Sequence, residues 1–554
     1  MPYPGPDFLA ALQRALMAAQ YVPESTYRVQ FHAGFTFRDA LQIVPYLHDL
    51  GITHLYASPL LQARLGSTHG YDITNHQTFN PELGTAEDYE TLCQVLQSHG
   101  MGQVLDIVPN HMGIAGNDNQ WWQDVLENGP ASPYAGFFDI AWYGSPRVEM
   151  HERLLLPILG KAYGETLESQ EIRLQYASGA FTIHYFDYCL PVAPQSYAFI
   201  LEQRRDALAT FLGEAPEPLA EYDSILTAIR NLPLRHETDP ARVAESQREK
   251  EIIKRRLAAL TEANPSVRAF LEDTVALFNG TPGQPASFNL LDTLLQAQVY
   301  RLCYWRVASE EINYRRFFDI NELAALSMEK PEVFTATHGL ILRLLSEDKV
   351  HGVRIDHPDG LYDPQQYFQR LQQHYVLHMA HRLRETDATF QDLGEEEISA
   401  LLDTTLAQAS KTAEAVLYRP LYIVVEKILG TYETLREDWP VYGTSGYDFL
   451  NVLNGLFVDA EQRRTWTRLY REWTQDPRPF AEVVYDAKYL IMQMSLSSEV
   501  YMLAYRLDRL AQQHRGSQDL TFNSLRRALQ QIIACFPVYR SYITSDAIHP
   551  DDRR

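Results

Sequence analysis

The sequence predicts an α/β fold built on a parallel sheet with right-handed crossovers, open or closed into a barrel, and three observations carry that prediction. From about residue 26 to 110, strand-like and helix-like patterns alternate, the order that builds βαβ units. Later, His-Gly-Val-Arg-Ile-Asp at 351–356 and Tyr-Ile-Val-Val-Glu-Lys at 422–427 form two apolar, β-branched runs that reach an acid. Such runs fit strands buried on both faces of a parallel sheet, each presenting a carboxylate at its C-terminal end.

Taken in order, Ser25–Phe31 is the first strand candidate and Phe37–Leu50 the first helix, closed by Gly51 in the position after the cap that glycine favours. His54–Pro59 is the second strand and its exit, Ala86–Ser98 the second helix followed by Gly100, and Gly102–Pro109 the third strand. Between Gly113 and Glu347 no clean βα unit is visible, only helical patterns. The clearest is the charged run Gln247–Arg256, expected to be a solvated helix face. Proline-rich stretches at Pro216–Pro218 and Pro282–Pro285 mark expected loops or subdomain edges. The strand pattern returns at 350–356 and 421–426, with a long helical stretch, Pro364–Leu417, between; part of it (375–418) is expected as an extra hairpin. Leu453–Arg540 is again helical. The expected organisation is therefore 1–112 as the first half of a barrel, 113–348 as a mostly helical insertion or lid, and 349–554 as continuation of the barrel with helical insertions.

Composition narrows the function. The net charge of −23 argues against nucleic acid or an anionic membrane surface as partner. Four widely spaced cysteines, Cys93, Cys189, Cys303 and Cys535, form no CxxC pair and are expected as buried free thiols. Residues 1–20 lack the basic start of a signal peptide and place Phe8, Leu9, Leu12 and Leu16 at helical spacing, and no apolar stretch is long enough to span a bilayer. A cytoplasmic location is expected.

The candidate site lies at the strand ends. Side chains alternate along a strand, so Arg354 and Asp356 share a face, as do Tyr422, Val424 and Glu426. On neighbouring strands, Asp356 and Glu426 would form a carboxylate pair of the kind glycosyl transfer uses, one acid as nucleophile and the other as proton donor. Arg354 beside Asp356 is expected to keep it ionised; apolar walls and a like charge near Glu426 are expected to keep its proton on. Asp106, Asn110 and His111 end the third strand, Asp106 being assigned to architecture. Tyr71 and Asp72 follow the second strand in a His-Gly-Tyr-Asp loop. Gly443–Phe449, including Tyr447, has a glycine-rich look without the lysine or helix start that phosphate needs. Asp356, His357 and Asp359 lack a second histidine at ligand spacing, so neither a metal nor another cofactor is expected.

Together these segments resemble the α-amylase superfamily. Asp-Ile-Val-Pro-Asn-His (106–111), Gly-Val-Arg-Ile-Asp (352–356) and Val-Val-Glu-Lys (424–427) are similar to its signature regions. Ser25–Phe31, Ser67–Asn75, Asn313–Glu322, Arg354–Leu361, Val425–Gly430 and Gly443–Phe449 more closely resemble the maltooligosyltrehalose synthase family. The resemblance implies a (β/α)8 (TIM) barrel of the α-amylase type, with a large, mostly helical insertion after the third strand. It implies Asp356 as nucleophile and Glu426 as general acid/base, with Tyr71, Asp72, Asn110, His111, Arg354 and Tyr447 as substrate-binding residues. The substrate would be a maltooligosaccharide or α-1,4-glucan, its reducing-end α-1,4 bond converted to an α,α-1,1 bond. The family also implies a third acid in a Lys-Gly-x-Glu-Asp-Thr-like segment, which this sequence does not contain. The barrel is accordingly expected to be incomplete at the C-terminus, before the last strands and a C-terminal β domain, with a complementing C-terminal chain as candidate partner. The alternatives are an α-glucan hydrolase or an impaired glucan-binding fragment.

Overall fold

The structure, a computed structural model, describes residues 5–144, 148–212, 216–233, 235, 237, 239–409, 417–430, 433–544 and 548–553. The chain forms two compact units. One comprises Met1–Gly113, Leu326–Pro479 and Phe536–Arg554; the other comprises Ile114–Ala325 and Phe480–Cys535. Segment 480–535 thus belongs with the unit that holds most of the 113–348 stretch, not with the barrel strands.

The first unit is built on six strands: β1 (Thr26–Val29), β2 (His54–Ala57), β3 (Gly102–Ile107), β4 (Gly352–Ile355), β5 (Tyr422–Val425) and β6 (Gly443–Thr444). They lie side by side in chain order, and every neighbouring pair is parallel. Parallel neighbours joined by crossovers in sequence order are the pattern of the TIM-type barrel. The central strands β3 and β4 are buried at every position, which is why their sequences run apolar without alternating. β6 was not legible as a strand: only Gly443 and Thr444 pair, with Val424 and Val425, before a helix starts at Tyr447.

Local signals account for the flanking helices. Thr36 and Asp39 form a capping box at the start of Phe37–Asp49, and Phe37, Ala40, Val44 and Leu47 form its buried stripe. Burying the three larger of these contributes roughly 1.5–3 kcal/mol each. Gly51 takes φ +86° just past the cap, where a side chain would be strained. A second capping box, Thr85 with Asp88, opens Ala86–Ser98. At the N-terminus, Phe8, Leu12 and Leu16 are fully buried on one face of the helix Gly5–Ala19, with Phe8 edge-on to Phe390 at 5.2 Å. Helices Pro364–Thr386 and Glu395–Ala409 fill the stretch between β4 and β5; residues 410–416 of the expected extra hairpin lie outside the described residues.

The second unit is rich in helices but also holds strands that the helical reading missed. Leu154–Leu159 pairs in parallel with Tyr300–Tyr304, and Ile172–Ala177, Ala180–Tyr185 and Tyr188–Pro191 form an antiparallel meander. Its first turn places Ser178 and Gly179 at φ 48° and 83°, as a tight hairpin requires. The backbone carbonyl of Lys254 approaches so closely that a Cβ at Gly179 would lie 1.9 Å from it. The charged run is not uniformly solvated: Lys250 is buried, 2.7 Å from Glu127 and 3.4 Å from Asp124, and Lys254 reaches Glu127 at 2.5 Å. Glu127 draws both lysines inward, a long-range pairing that helix periodicity does not encode. The cysteines are free, but only Cys93 and Cys303 are buried; Cys189 is partly exposed and Cys535 exposed. No helix among the described residues is long and apolar enough to cross a membrane.

Candidate active site

Strand register assembles the site. Across β3 and β4, Arg354 is the partner of Asp106; across β4 and β5, Ile355 is the partner of Val425. The next residue on each of β4 and β5 is an acid, so Asp356 and Glu426 leave neighbouring strand ends side by side. The ladder continues through them: the Asp356 N–H donates to the Ile107 carbonyl at 2.9 Å and the Glu426 N–H to the Ile355 carbonyl at 3.0 Å.

One guanidinium holds three carboxylates. Arg354 Nη1 donates to Asp356 Oδ1 at 2.7 Å and to Asp106 Oδ1 at 2.8 Å, while its Nη2 lies 3.1 Å from Glu426 Oε1. The other oxygen of Asp106 accepts from Arg28 Nη1 at 2.7 Å and from the Tyr71 hydroxyl at 2.6 Å. Arg28 Nη2 also donates to Tyr71 Oη at 2.9 Å, and its guanidinium lies 4.3 Å from the centre of the Tyr56 ring. Asp106 therefore ties β1, β4 and the 67–75 loop to the end of β3. Arg28 was missed in the sequence. The signal was present: a cation in the middle of a short strand, on a strand neighbouring the one that carries Tyr56 in register.

Burial and charge act in opposite directions here. Burial is the largest influence on Asp356 and pushes its carboxyl up to about 7; Arg354 pulls it down, and Glu426 and Asp106 push it further up. Arg354 sits where expected and pulls Asp356 toward its ionised form, but burial and the two neighbouring acids oppose it, and its charge is shared among three acids. For Arg354 itself, burial lowers the pKa, but Asp106 and Asp356 outweigh it and hold the guanidinium firmly charged. Burial, followed by Asp106, raises the Tyr71 phenol; burial, followed by Glu426, raises that of Tyr447. Both remain neutral donors near neutrality, and Tyr447 lies beside Glu426.

The turn after β4 completes the surroundings of Glu426. His357 adopts a left-handed conformation, φ 40°, and its N–H donates to Glu426 Oε2 at 2.9 Å. Asn110 and His111 are both buried, and a Cβ on Gly360 would lie 2.3 Å from Asn110 Oδ1. Asn110 thus lies under the 358–360 turn. Asp72 accepts from Ser67 Oγ at 2.5 Å within its own loop.

The turn is anchored from below by Lys427, which points away from Glu426. Its Nζ is 3.2 Å from Asp359 Oδ2 and 2.8 Å from Glu433 Oε1, and all three side chains are largely buried. The Tyr542 hydroxyl bonds the other oxygen of Asp359, and Arg540 Nη1 donates to the carbonyls of Asp359 and Leu361 at 2.8 and 2.7 Å. Lys427→Met is expected to destabilise the protein by about 3–5 kcal/mol, because it strands two buried carboxylates; urea titration would measure the loss. Among the described residues no group of three or more His, Cys, Asp and Glu side chains could hold a metal ion.

Residues 39–191 match the family model for the alpha amylase catalytic domain. With the parallel sheet and its acidic strand ends, this defines the class as an α-amylase-type TIM fold. Relatives that match over most of the chain include maltooligosyltrehalose synthases. A Mycobacterium tuberculosis protein assigned as a maltooligosyl trehalose synthase is 30% identical over 486 residues, covering 86% of this chain and 44% of that protein. The structure of maltooligosyltrehalose synthase from Arthrobacter ramosus superposes with a TM-score of 0.60 at 30% identity, covering 94% of this chain and 48% of the other. A DSM5389 glycosyltrehalose synthase gives 0.61 at 27%, covering 95% and 51%. The chain spans about half the length of these relatives.

Proposed function

We propose that the chain carries the nucleophile and the acid/base of a retaining transglucosylation on α-1,4-glucans, converting the reducing-end α-1,4 bond of a maltooligosaccharide to an α,α-1,1 bond. The observation that carries this reading is the Asp356–Glu426 pair on adjacent strand ends, bridged by Arg354. Adjacent strands lie about 4.8 Å apart. Acids at the ends of strands so spaced can come within the roughly 5–5.5 Å that retaining pairs need.

In the first step Asp356 attacks the anomeric carbon of the penultimate glucose while Glu426 gives its proton to the departing O4 of the terminal glucose. The C–O4 bond breaks as the glucosyl–Asp356 ester forms. The freed glucose turns in place, Glu426 takes the proton from its anomeric hydroxyl, and that oxygen displaces Asp356. Two inversions give net retention, and no reducing end remains. Arg354 balances the charge that returns to Asp356. Tyr71, Asp72, His111 and Tyr447 are assigned to gripping the terminal glucose, with Asn110 seating the turn that aims the His357 N–H at Glu426. Excluding water during the turn distinguishes this reaction from hydrolysis.

Incubation of the chain with maltopentaose tests the reading, with reducing ends, mass and NMR followed together. The expected result is loss of reducing ends at unchanged mass. A rise in reducing ends with shorter products would replace this reading by an α-glucan hydrolase. Binding without turnover would replace it by a glucan-binding chain that needs a complementing partner.

A further inference from the structure

The second unit contains a cavity of about 460 Å³ lined by, among others, Glu149, Arg153, Tyr163, Gln296, Arg301 and Cys303. Arg153 is buried at 9% exposure. Its Nη2 donates to the backbone carbonyls of Leu295 at 3.4 Å and Tyr300 at 3.2 Å, while its Nε is buried without a partner. After burial itself, Arg235 and Arg301 most disfavour the charged form of Arg153, and Tyr163 favours it. Nearby acids are engaged elsewhere. Asp292 accepts from the Tyr163 hydroxyl at 2.7 Å, and Glu152 lies 3.7 Å from Arg235. Glu149, the acid in the lining, is exposed. Burial pushes the Cys303 thiol up to about 12, so it stays protonated and supplies no negative charge.

A buried guanidinium that shares a cavity lining with a second one, with no ion pair to a carboxylate among the described residues, is costly unless an anion completes it. We propose that this cavity binds a phosphoryl group, free or carried on a small sugar, seated between Arg153 and Arg301. The planar guanidinium matches phosphate oxygens two at a time, and the volume falls in the range of small-molecule sites, about 300–1,000 Å³. The lining of the cavity belongs to the second unit and the carboxylate pair to the first.

Calorimetric titration of the whole chain tests this, with inorganic phosphate and glucose 6-phosphate as probes and chloride and glucose as controls at matched ionic strength. Saturable binding of a phosphorylated probe is expected, weakened at least about tenfold in Arg301→Gln and tightened in Glu149→Gln, where a competing carboxylate is gone. Tighter binding of the sugar phosphate assigns the ligand to a phosphorylated sugar; equal binding assigns it to free phosphate. Arg153→Gln also removes the ties to Leu295 and Tyr300, so Arg301→Gln, checked for unchanged melting, is the deciding variant. Heats indistinguishable from the controls, or Arg301→Gln binding like the parent chain, would overturn the proposal.

Discussion

Asp356→Asn is expected to reduce transfer on the order of 10⁴-fold or more, as loss of a covalent nucleophile does, and at the same time to stabilise the fold at alkaline pH. The two effects share one cause. The native Asp356 carboxyl keeps its proton up to about pH 7, whereas an aspartate in the unfolded chain loses it near 3.9. Between those values the native state holds the extra proton, so stability falls as pH rises through that window. An asparagine does not ionise and escapes this loss. Melting temperatures of the two proteins should therefore converge near pH 4 and separate by pH 8, the variant melting higher by an amount equivalent to a few kcal/mol. In the parent chain the same titration places the rising limb of kcat/KM near pH 7, where the nucleophile becomes ionised. A variant that melts lower at pH 8 would show that Arg354 depends on Asp356 more than burial opposes it.

Glu426→Gln is the second large effect. The amide keeps the size, but its single oxygen can accept from the His357 N–H or from Arg354 and not from both, since these reach different oxygens of the carboxylate; proton transfer is removed together with the charge and one of these bonds. The expected loss is about 10²–10⁴-fold on maltooligosaccharides. With maltosyl fluoride, whose leaving group needs no proton, the first step should recover while the second stays slow. A variant equally impaired on both substrates would indicate that Glu426 shapes the site instead of protonating the leaving oxygen.

Much of this site was legible because a parallel strand leaves a strong trace. Gly352–Ile355 and Tyr422–Val425 read as buried strands from apolar content alone, and period-two alternation put Arg354 on the face of Asp356. That they are neighbours required the structure, since 66 residues separate the two runs and only the ladder fixes their register. Arg28, Lys427 and Tyr542 escaped notice for the same reason: each acts through a partner far along the chain, and an ion pair has no period. His357 escaped for another. It takes a left-handed conformation with no glycine at that position to signal it, just before the 358–360 turn that packs on Asn110. The meander at 172–191 is different again. Ile172 and Leu174 alternate with exposed Arg173 and Gln175 ahead of the Ser178–Gly179 turn, so the pattern was present and was masked by the helical stretches around it.

The central claim is that Asp356 bonds covalently to glucose while Glu426 handles the proton, and peptide mass mapping of Glu426→Gln after incubation with maltosyl fluoride tests it most directly. The account predicts a maltosyl adduct on the peptide containing Asp356, absent when Asp356 is also replaced by asparagine. An unmodified chain that nonetheless consumes the fluoride, or an adduct on any other residue, would contradict it.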